Sequence, residues 1–440
     1  MFVFNLQINK FVVKYQPRTD IIGELMKKKL LIINLALFLA ADMLVTGFIL
    51  HRANKKAGEV PVFTPPTTTV STETPIPSTD ETEYKIVETT PEETITEPTE
   101  QVAQSEIGTI VTDTTMYAAA SPYALDIKNL TISDNVYKIL SDINGYDLVR
   151  TDSNNIGFIK SEDIEYTGET VDAPYEITLK NDIVVTTTNL NYRYGPSTEY
   201  ESFRILEEET ELQVIGETEN GWLLVHLNGE VGFVSKKYTY SVLHKINERY
   251  PDLNLEELNV QKVVEVRNGT NYRKGPSTDD EIIREFSKSE TMRVLGEYDG
   301  WYFGITDDYD IGFVSKNYTT DLNGIFIDTD ILTQRMRMYN ENQLLYYTRV
   351  KTGKDSTPTD EGHFKIFWMG EDVNIVDDIV VNYWMNYNNG EGIHDLESCT
   401  SFGEDDYHWE GSNGCTRTPL ENVAKIYQKA SVGTPVIVHK

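Results

Sequence analysis

Residues 190–239 read LNYRYGPSTEYESFRILEEETELQVIGETENGWLLVHLNGEVGFVSKKYT, and residues 270–319 read TNYRKGPSTDDEIIREFSKSETMRVLGEYDGWYFGITDDYDIGFVSKNYT. The shared landmarks are Asn-Tyr-Arg, Gly-Pro-Ser-Thr, Gly-Glu, Gly-Trp and Gly-Phe-Val-Ser-Lys. They recur about 80 residues apart, as Tyr192 and Tyr272 or Gly232 and Gly312 show. A repeat of that size is an array of small domains rather than a solenoid. Within each copy, short runs such as ELQVIGE, GWLLVHL and VGFVS are separated by Gly, Pro and Asn turns. Such runs read as short strands, the pattern of a small β-barrel.

A weaker copy lies upstream. In DINGYDLVRTDSNNIGFIKSEDI, Gly145-Tyr146 aligns with Gly221-Trp222, and Gly157-Phe158 with Gly232-Phe233. Its start, TTMYAAASPY, lacks the Arg and the Gly-Pro pair. The copies resemble bacterial SH3 domains, marked by an Asn-x-Arg-x-Gly-Pro-Ser-Thr turn followed by Gly-Trp and by Gly-aromatic-aliphatic. The resemblance implies three such domains, at 107–168 (degenerate), 176–240 and 262–320. It also implies attachment to a cell-wall enzyme and often peptidoglycan binding. Tyr192, Trp222, Tyr272 and Trp301 are the candidate wall-binding aromatics. Arg193 and Arg273 are expected to fix the turn. The stretch SVLHKINERYPDLNLEELN between the last two copies reads as a short helical linker.

Amino-terminal to the repeats, Met26-Lys27-Lys28-Lys29 precedes an apolar run over residues 30–50. Such a run is long enough to cross a bilayer as a helix. No small-x-small cleavage site ends it, so the expectation is an uncleaved single-pass anchor, with residues 1–29 cytoplasmic and the rest outside. Residues 51–106 are rich in Pro, Thr and Glu and poor in apolar residues. Such a stretch buries too little surface to offset its ordering entropy and reads as a disordered stalk.

The whole chain of 440 residues carries a formal charge of −31. Phosphate recognition needs a basic surface, so nucleic acid is a poor partner. The chain has two cysteines, Cys399 and Cys415. One bridge between them is the alternative to a reactive Cys415. No metal-ligand spacing of the Cys-x-x-Cys or His-Glu-x-x-His kind is present.

Beyond residue 324 the pattern is again mostly strand-like, with one helix signal. Thr418-Pro419-Leu420-Glu421 has the form of a capping box with proline at the first helical position. Leu420, Val423, Ala424, Tyr427 and Ala430 follow at helical spacing, and Gly433 is the stop. Cys415 therefore sits in GSNGCTRTP on a loop feeding a helix. A free thiol is only about 3% ionised at neutral pH and needs a base. His394 and His408 stand upstream, while His363 reads as a strand-edge residue. Successive N–H groups at the Gly414-Cys415 turn have the form of an oxyanion hole.

The ordered set is Thr352-Gly353, Thr357-Pro358-Thr359, Gly392-Ile393-His394-Asp395, Ser401-Phe402-Gly403 and Ser412-Asn413-Gly414-Cys415-Thr416-Arg417. It resembles the L,D-transpeptidase catalytic domain, placed at 324–440. The resemblance implies Cys415 as nucleophile and His394 as general base and proton donor. Gly414 and Cys415 would supply the oxyanion N–H groups. Ser412 would support the loop, and Arg417 would support it or meet a substrate carboxylate. Asn413 stands where the family usually has a second histidine. Asp395 is read as orienting, and His408 as a residue able to compensate for Asn413.

The expected fold is mainly β: an N-terminal transmembrane helix and disordered stalk, three small SH3-like β-barrels, and a β-rich catalytic domain with a helix after the catalytic loop. The expected function is a membrane-anchored L,D-transpeptidase that cross-links peptidoglycan stem peptides through a cysteine thioester, without a cofactor. Its expected partners are peptidoglycan stem peptides (a donor tetrapeptide and an acceptor amine) and the membrane through the N-terminal helix, with the C-terminal part outside the cell facing a wall of the Gram-positive kind. The alternatives are an L,D-carboxypeptidase at the same site and a non-catalytic wall-binding protein.

Overall fold

The computed structural model describes residues 103–251, 253–376 and 379–440. The expected span at 30–50 and nearly all of the stalk lie outside the described residues. Among the described residues no helix is long and apolar enough to cross a membrane.

The first sheet comprises β1 (Gln104–Ile110), β2 (Thr114–Tyr117), β3 (Asp126–Leu130), β4 (Asn135–Ile143), β5 (Tyr146–Thr151), β6 (Ile156–Lys160) and β7 (Ile164–Asp172). Its strand order is β3-β2-β6-β5-β4-β1-β7. The second comprises β8 (Thr178–Thr186), β9 (Leu190–Arg193), β10 (Ser202–Leu206), β11 (Glu211–Glu217), β12 (Trp222–Leu227), β13 (Glu230–Ser235) and β14 (Thr239–Ser241). The third comprises β15 (Lys262–Val266), β16 (Asn271–Arg273), β17 (Ile282–Glu285), β18 (Thr291–Tyr298), β19 (Trp301–Ile305), β20 (Ile311–Ser315) and β21 (Thr319–Leu322). Both repeat the strand order of the first. The first copy thus reaches the same topology without the Arg and Gly-Pro landmarks.

Those landmarks have local causes. Arg193 Nη1 donates to Tyr200 O at 2.7 Å, and Arg273 Nη1 to Asp280 O at 2.6 Å, closing the turn in each copy. Gly232 and Gly312 sit where a Cβ would come within 2.8 and 2.6 Å of the Arg193 and Arg273 carbonyls, so the strand crossing admits only glycine. In β9, Leu190 and Tyr192 point inward and Asn191 outward, the period of a half-buried strand.

That alternation corrects part of the wall-binding expectation. Tyr192 and Tyr272 are fully buried. Their hydroxyls lie 2.8 Å from Val225 O and 2.7 Å from Gly304 O, inside the sheets' own cores. They present no face to a ligand. Trp222 is half-buried and packs where the first and second sheets meet, against Tyr146, Phe158 and Phe233. Trp301 is also half-buried, packed against the cluster that joins the second and third sheets. It also lines a cavity of about 490 Å³ with Arg273 and Tyr318.

The linker contains α1 (Val242–Arg249), capped by Ser241, whose side chain accepts from His244 N. Val242, Leu243 and Ile246 face inward toward Phe303 and Phe313 of the third sheet. The C-terminal part holds two sheets. One has the order β24-β23-β22-β30-β25, from β22 (Ile325–Asp330), β23 (Arg335–Asn340), β24 (Gln343–Arg349), β25 (Gly362–Lys365) and β30 (Pro435–His439). The other runs β26-β27-β28-β29, from β26 (Trp368–Val376), β27 (Ile379–Asn388), β28 (Glu391–His394) and β29 (Thr416–Arg417). Helix α2 (Tyr407–Glu410) precedes the cysteine loop, and α3 (Leu420–Lys429) follows it. Val423 and Ile426 of α3 are fully buried against Met385 and Ile393.

The capping box expected at Thr418 does not form. Pro419 is the cap residue of α3 and no side chain caps it. Glu421 reaches instead across to Arg204 of the second sheet, at 2.6 Å. A long-range ion pair has taken the carboxylate that a local cap would have used.

The second and third sheets meet the C-terminal part at a buried ionic network. Arg337 Nη2 lies 2.8 Å from Glu211, and its Nη1 2.7 Å from Asp307. Arg293 also reaches Glu211, and His439 Nε2 lies 3.2 Å from Asp328. Burial alone would raise the Glu211 carboxyl, but Arg337 and Arg293 outweigh it and hold it down to about 2. Burial disfavours charge on His439 as well, yet Asp328, Asp330 and Asp307 push it up to about 10. Asp307, Asp328 and His439 cluster closely, with ligand atoms within 4.8 Å. Because Arg337 and the His439 proton already answer those carboxylates, the cluster is an ion-pair network tying three sheets together.

Candidate active site

The cysteine loop is held by the segment that carries Thr352-Gly353. Ser412 N donates to Thr352 O at 2.8 Å, and Lys354 N to Ser412 O at 3.1 Å. Thr357 Oγ1 donates to the same carbonyl at 3.0 Å. Gly353 N donates to Thr359 Oγ1 at 2.8 Å. Residues far apart in sequence thus fix one short loop.

Beyond the loop, β29 pairs in parallel with β28, placing Ile393 opposite Thr416 and His394 opposite Arg417. Ile393 and Thr416 are fully buried on the core side. By alternation, His394, Arg417 and Cys415 lie on the other face of this pair. His394 Nδ1 lies 2.6 Å from Asp395 O. A carbonyl only accepts, so Nδ1 carries the proton and Nε2 keeps its lone pair. Trp384, opposite His394 on β27, packs its ring 5.3 Å from the imidazole. Asp395 turns away: its carboxylate accepts from Asn382 and Tyr383 N–H groups.

Cys415 and Cys399 are both free thiols. Cys415 Sγ lies 3.7 Å from Gly390 O, and the Gly392 N–H points at the sulfur. No hydrogen bond joins this thiol to His394 among the described residues. Burial pushes the Cys415 thiol up; Gly392 N–H opposes that, Glu391 adds to it and Arg417 opposes it. Burial lowers His394 below its ordinary value, with the Asp395 carbonyl opposing and Arg417 assisting. The resting site holds a thiol just ahead of the strand paired with that of His394, whose imidazole is in the form able to accept a proton.

Gly414 has φ +111°, a conformation that favours glycine. A Cβ there would also lie 2.7 Å from Glu391 Oε1. The Gly414 N–H donates to Ser412 Oγ at 3.1 Å, so this expected oxyanion donor is already engaged. Ser412 Oγ itself donates to Cys415 O. Asn413 is exposed, its side chain 3.4 Å from Thr357 Oγ1. His408 is paired with Asp355 at 2.8 Å and stacked on Tyr407. Arg417 Nη1 reaches Glu410 O at 3.4 Å, and Arg417 forms no ion pair among the described residues. His363 pairs with Glu265 of the third sheet.

Two residues escaped the sequence reading. Lys351 is buried, bound to Ser401 and Asp406, each at 2.7 Å, and its backbone pairs with Arg417. Glu391 stands against Gly414 beside the thiol. Its only signal was a charged residue set between Gly390 and Gly392, just ahead of His394.

Residues 324–438 match the family model of the L,D-transpeptidase catalytic domain, and residues 188–240 that of the bacterial SH3 domain. No curated protein matches the chain. The chain is 30% identical to the catalytic domain of the E. faecium L,D-transpeptidase solved by NMR, covering 98% of that chain and 27% of this one, with a TM-score of 0.25. This chain belongs to the L,D-transpeptidase family. The same E. faecium domain acylated by ertapenem is likewise 30% identical, covering 98% of that chain and 27% of this one at a TM-score of 0.25. The crystal structure of a cysteine-to-serine mutant of Enterococcus faecium L,D-transpeptidase is 22% identical, covering 93% of that chain and 48% of this one at a TM-score of 0.27. The protein is thus an L,D-transpeptidase-type enzyme with at least one bacterial SH3 domain.

Proposed function

We propose that the enzyme cross-links peptidoglycan stem peptides from a membrane-anchored position, by way of a thioester on Cys415. The reading rests above all on one arrangement: a free thiol next to the strand that carries a neutral His394 with Nε2 unprotonated.

In the first half-reaction His394 Nε2 takes the thiol proton, and Sγ attacks the carbonyl of the third stem residue. The Cys415 N–H faces the developing oxyanion, joined by Gly414 N–H as it leaves Ser412 Oγ. The carbon–nitrogen bond to the terminal D-alanine breaks, and His394 gives its proton to the departing amine. In the second, a stem amine attacks the thioester and the thiol is regenerated. With water in place of the amine, the outcome is L,D-carboxypeptidation.

The basic-then-apolar residues 26–50 support the anchor. Both flanks of the run are basic, so the outward orientation follows from the wall substrate and not from charge. The shared strand order supports reading all three seven-stranded sheets as SH3 domains. They space the enzyme from the membrane, and the cavity beside Trp301 is the place for wall contact.

The test is mass spectrometry of disaccharide tetrapeptides incubated with the full-length enzyme. Cross-linked dimer and released D-alanine are expected. Cys415→Ala is expected to abolish both. Unchanged tetrapeptide with the wild type overturns the reading in favour of a wall-binding protein.

A further inference from the structure

Two charged groups act on the Cys415 sulfur. Arg417 donates to Glu410 O and has no ion pair among the described residues. The other is Glu391. Its carboxylate accepts from Asp360 N at 3.2 Å and from Asn388 Nδ2 at 3.2 Å. Asn388 also holds Asp360 Oδ2 at 2.9 Å, so a second carboxylate lies beside the first. Glu391 is fixed in place against Gly414, and no cation pairs with it among the described residues.

This placement works against the first half-reaction. A negative charge beside a thiol disfavours the thiolate, and Glu391 raises Cys415 for that reason. Once the sulfur is acylated it is neutral, and the penalty disappears. What remains is a fixed carboxylate next to the thioester, with the Arg417 guanidinium, bound to the Glu410 carbonyl, as the other charge acting on the site. An incoming primary amine is an ammonium at neutral pH. It is repelled by Arg417 and drawn to Glu391.

Resting on the reading of Cys415 as nucleophile, we propose that Glu391 is the specificity residue that receives the acceptor ammonium and favours aminolysis over hydrolysis. One ammonium proton passes to the Glu391 carboxylate. The freed amine attacks the thioester carbonyl, and the C–N bond forms as the C–S bond breaks. The second nitrogen proton passes through His394 Nε2 to the departing sulfur, and Glu391 releases its own to solvent. Burial raises the Glu391 carboxyl above its ordinary value, which suits it to take that proton.

The test compares the full-length wild type with Glu391→Gln in two measurements. Adduct formation with ertapenem, followed by intact mass, reads acylation of Cys415 alone. The ratio of cross-linked dimer to hydrolysed tripeptide from a disaccharide tetrapeptide reads the fate of the acyl-enzyme. Glu391→Gln is expected to acylate faster than the wild type, while its dimer-to-tripeptide ratio falls about tenfold, as for one lost charge-assisted contact. An unchanged ratio, or acylation falling in step with it, overturns the proposal. A check that needs no variant is salt. Raising ionic strength is expected to lower the wild-type ratio, and a ratio indifferent to salt overturns the proposal. If the wild type itself forms no adduct, the reading of Cys415 fails and this inference falls with it.

Discussion

At the residue scale, the electrostatics of Cys415 and His394 set the pH behaviour. Burial raises the thiol and lowers the imidazole. Alkylation of Cys415 by iodoacetamide is therefore expected to rise only on the alkaline side of an ordinary thiol, and Glu391→Gln to shift that rise to lower pH. A rise in the neutral range would show a resting thiolate–imidazolium pair instead. Gly414→Ala is expected to cost about 1–3 kcal/mol through its left-handed backbone and to displace Glu391, measured by urea unfolding. Cys415 and His394, the proposed nucleophile and base, were legible because they stand within an ordered run of motif residues. Glu391 was not, because one carboxylate has no spacing signature. The partners of Asn413 and His408 were equally hidden, since Thr357 and Asp355 lie more than 50 positions away.

At the element scale, the repeat was readable because its landmarks are local. Arg193 bonds a carbonyl seven positions on, and Gly232 answers a close crossing inside one sheet. Tyr192 was misread as a ligand face because an aromatic beside a turn looks the same inward or outward until register is known. The start of α3 was misread for a different reason. Its Glu421 answers Arg204, 217 positions away, and Lys425 one turn along its own helix, instead of capping the helix start. Arg204→Ala is expected to cost on the order of 0.5–1 kcal/mol, because Glu421 is more than half exposed and water screens the pair. Ile426→Ala, at a fully buried position, is expected to cost about 2–5 kcal/mol. Urea unfolding of the two variants measures the contrast between an exposed pair and a packed core.

At the scale of the whole molecule, the sheets are joined by charges that no pattern announces. Glu211, Asp307 and Arg337 come from the second sheet, the third sheet and the catalytic part, and each is legible alone only as a surface residue. Together they are buried, and removing one partner strands the others. Glu211→Gln is expected to destabilise by about 3–5 kcal/mol. The network also shapes stability against pH. Glu211, held at about 2 against an ordinary 4.5, contributes above pH 4.5, and its share is lost as pH falls toward 2. His439, raised from 6.5 to about 10, contributes fully below pH 6.5, and its share is lost as pH rises toward 10. Melting temperature is expected to peak between those ordinary values and fall on both sides. A peak on the alkaline side would contradict the assigned charges.

The central claim is that the Cys415 sulfur carries the acyl group during turnover. Rapid acid quench of the full-length enzyme mixed with a disaccharide tetrapeptide, followed by peptide mapping, tests it directly. The account predicts a disaccharide-tripeptide thioester on the peptide that contains Cys415, formed as D-alanine appears. D-alanine release with Cys415 unmodified, or an adduct on Cys399 instead, would contradict it.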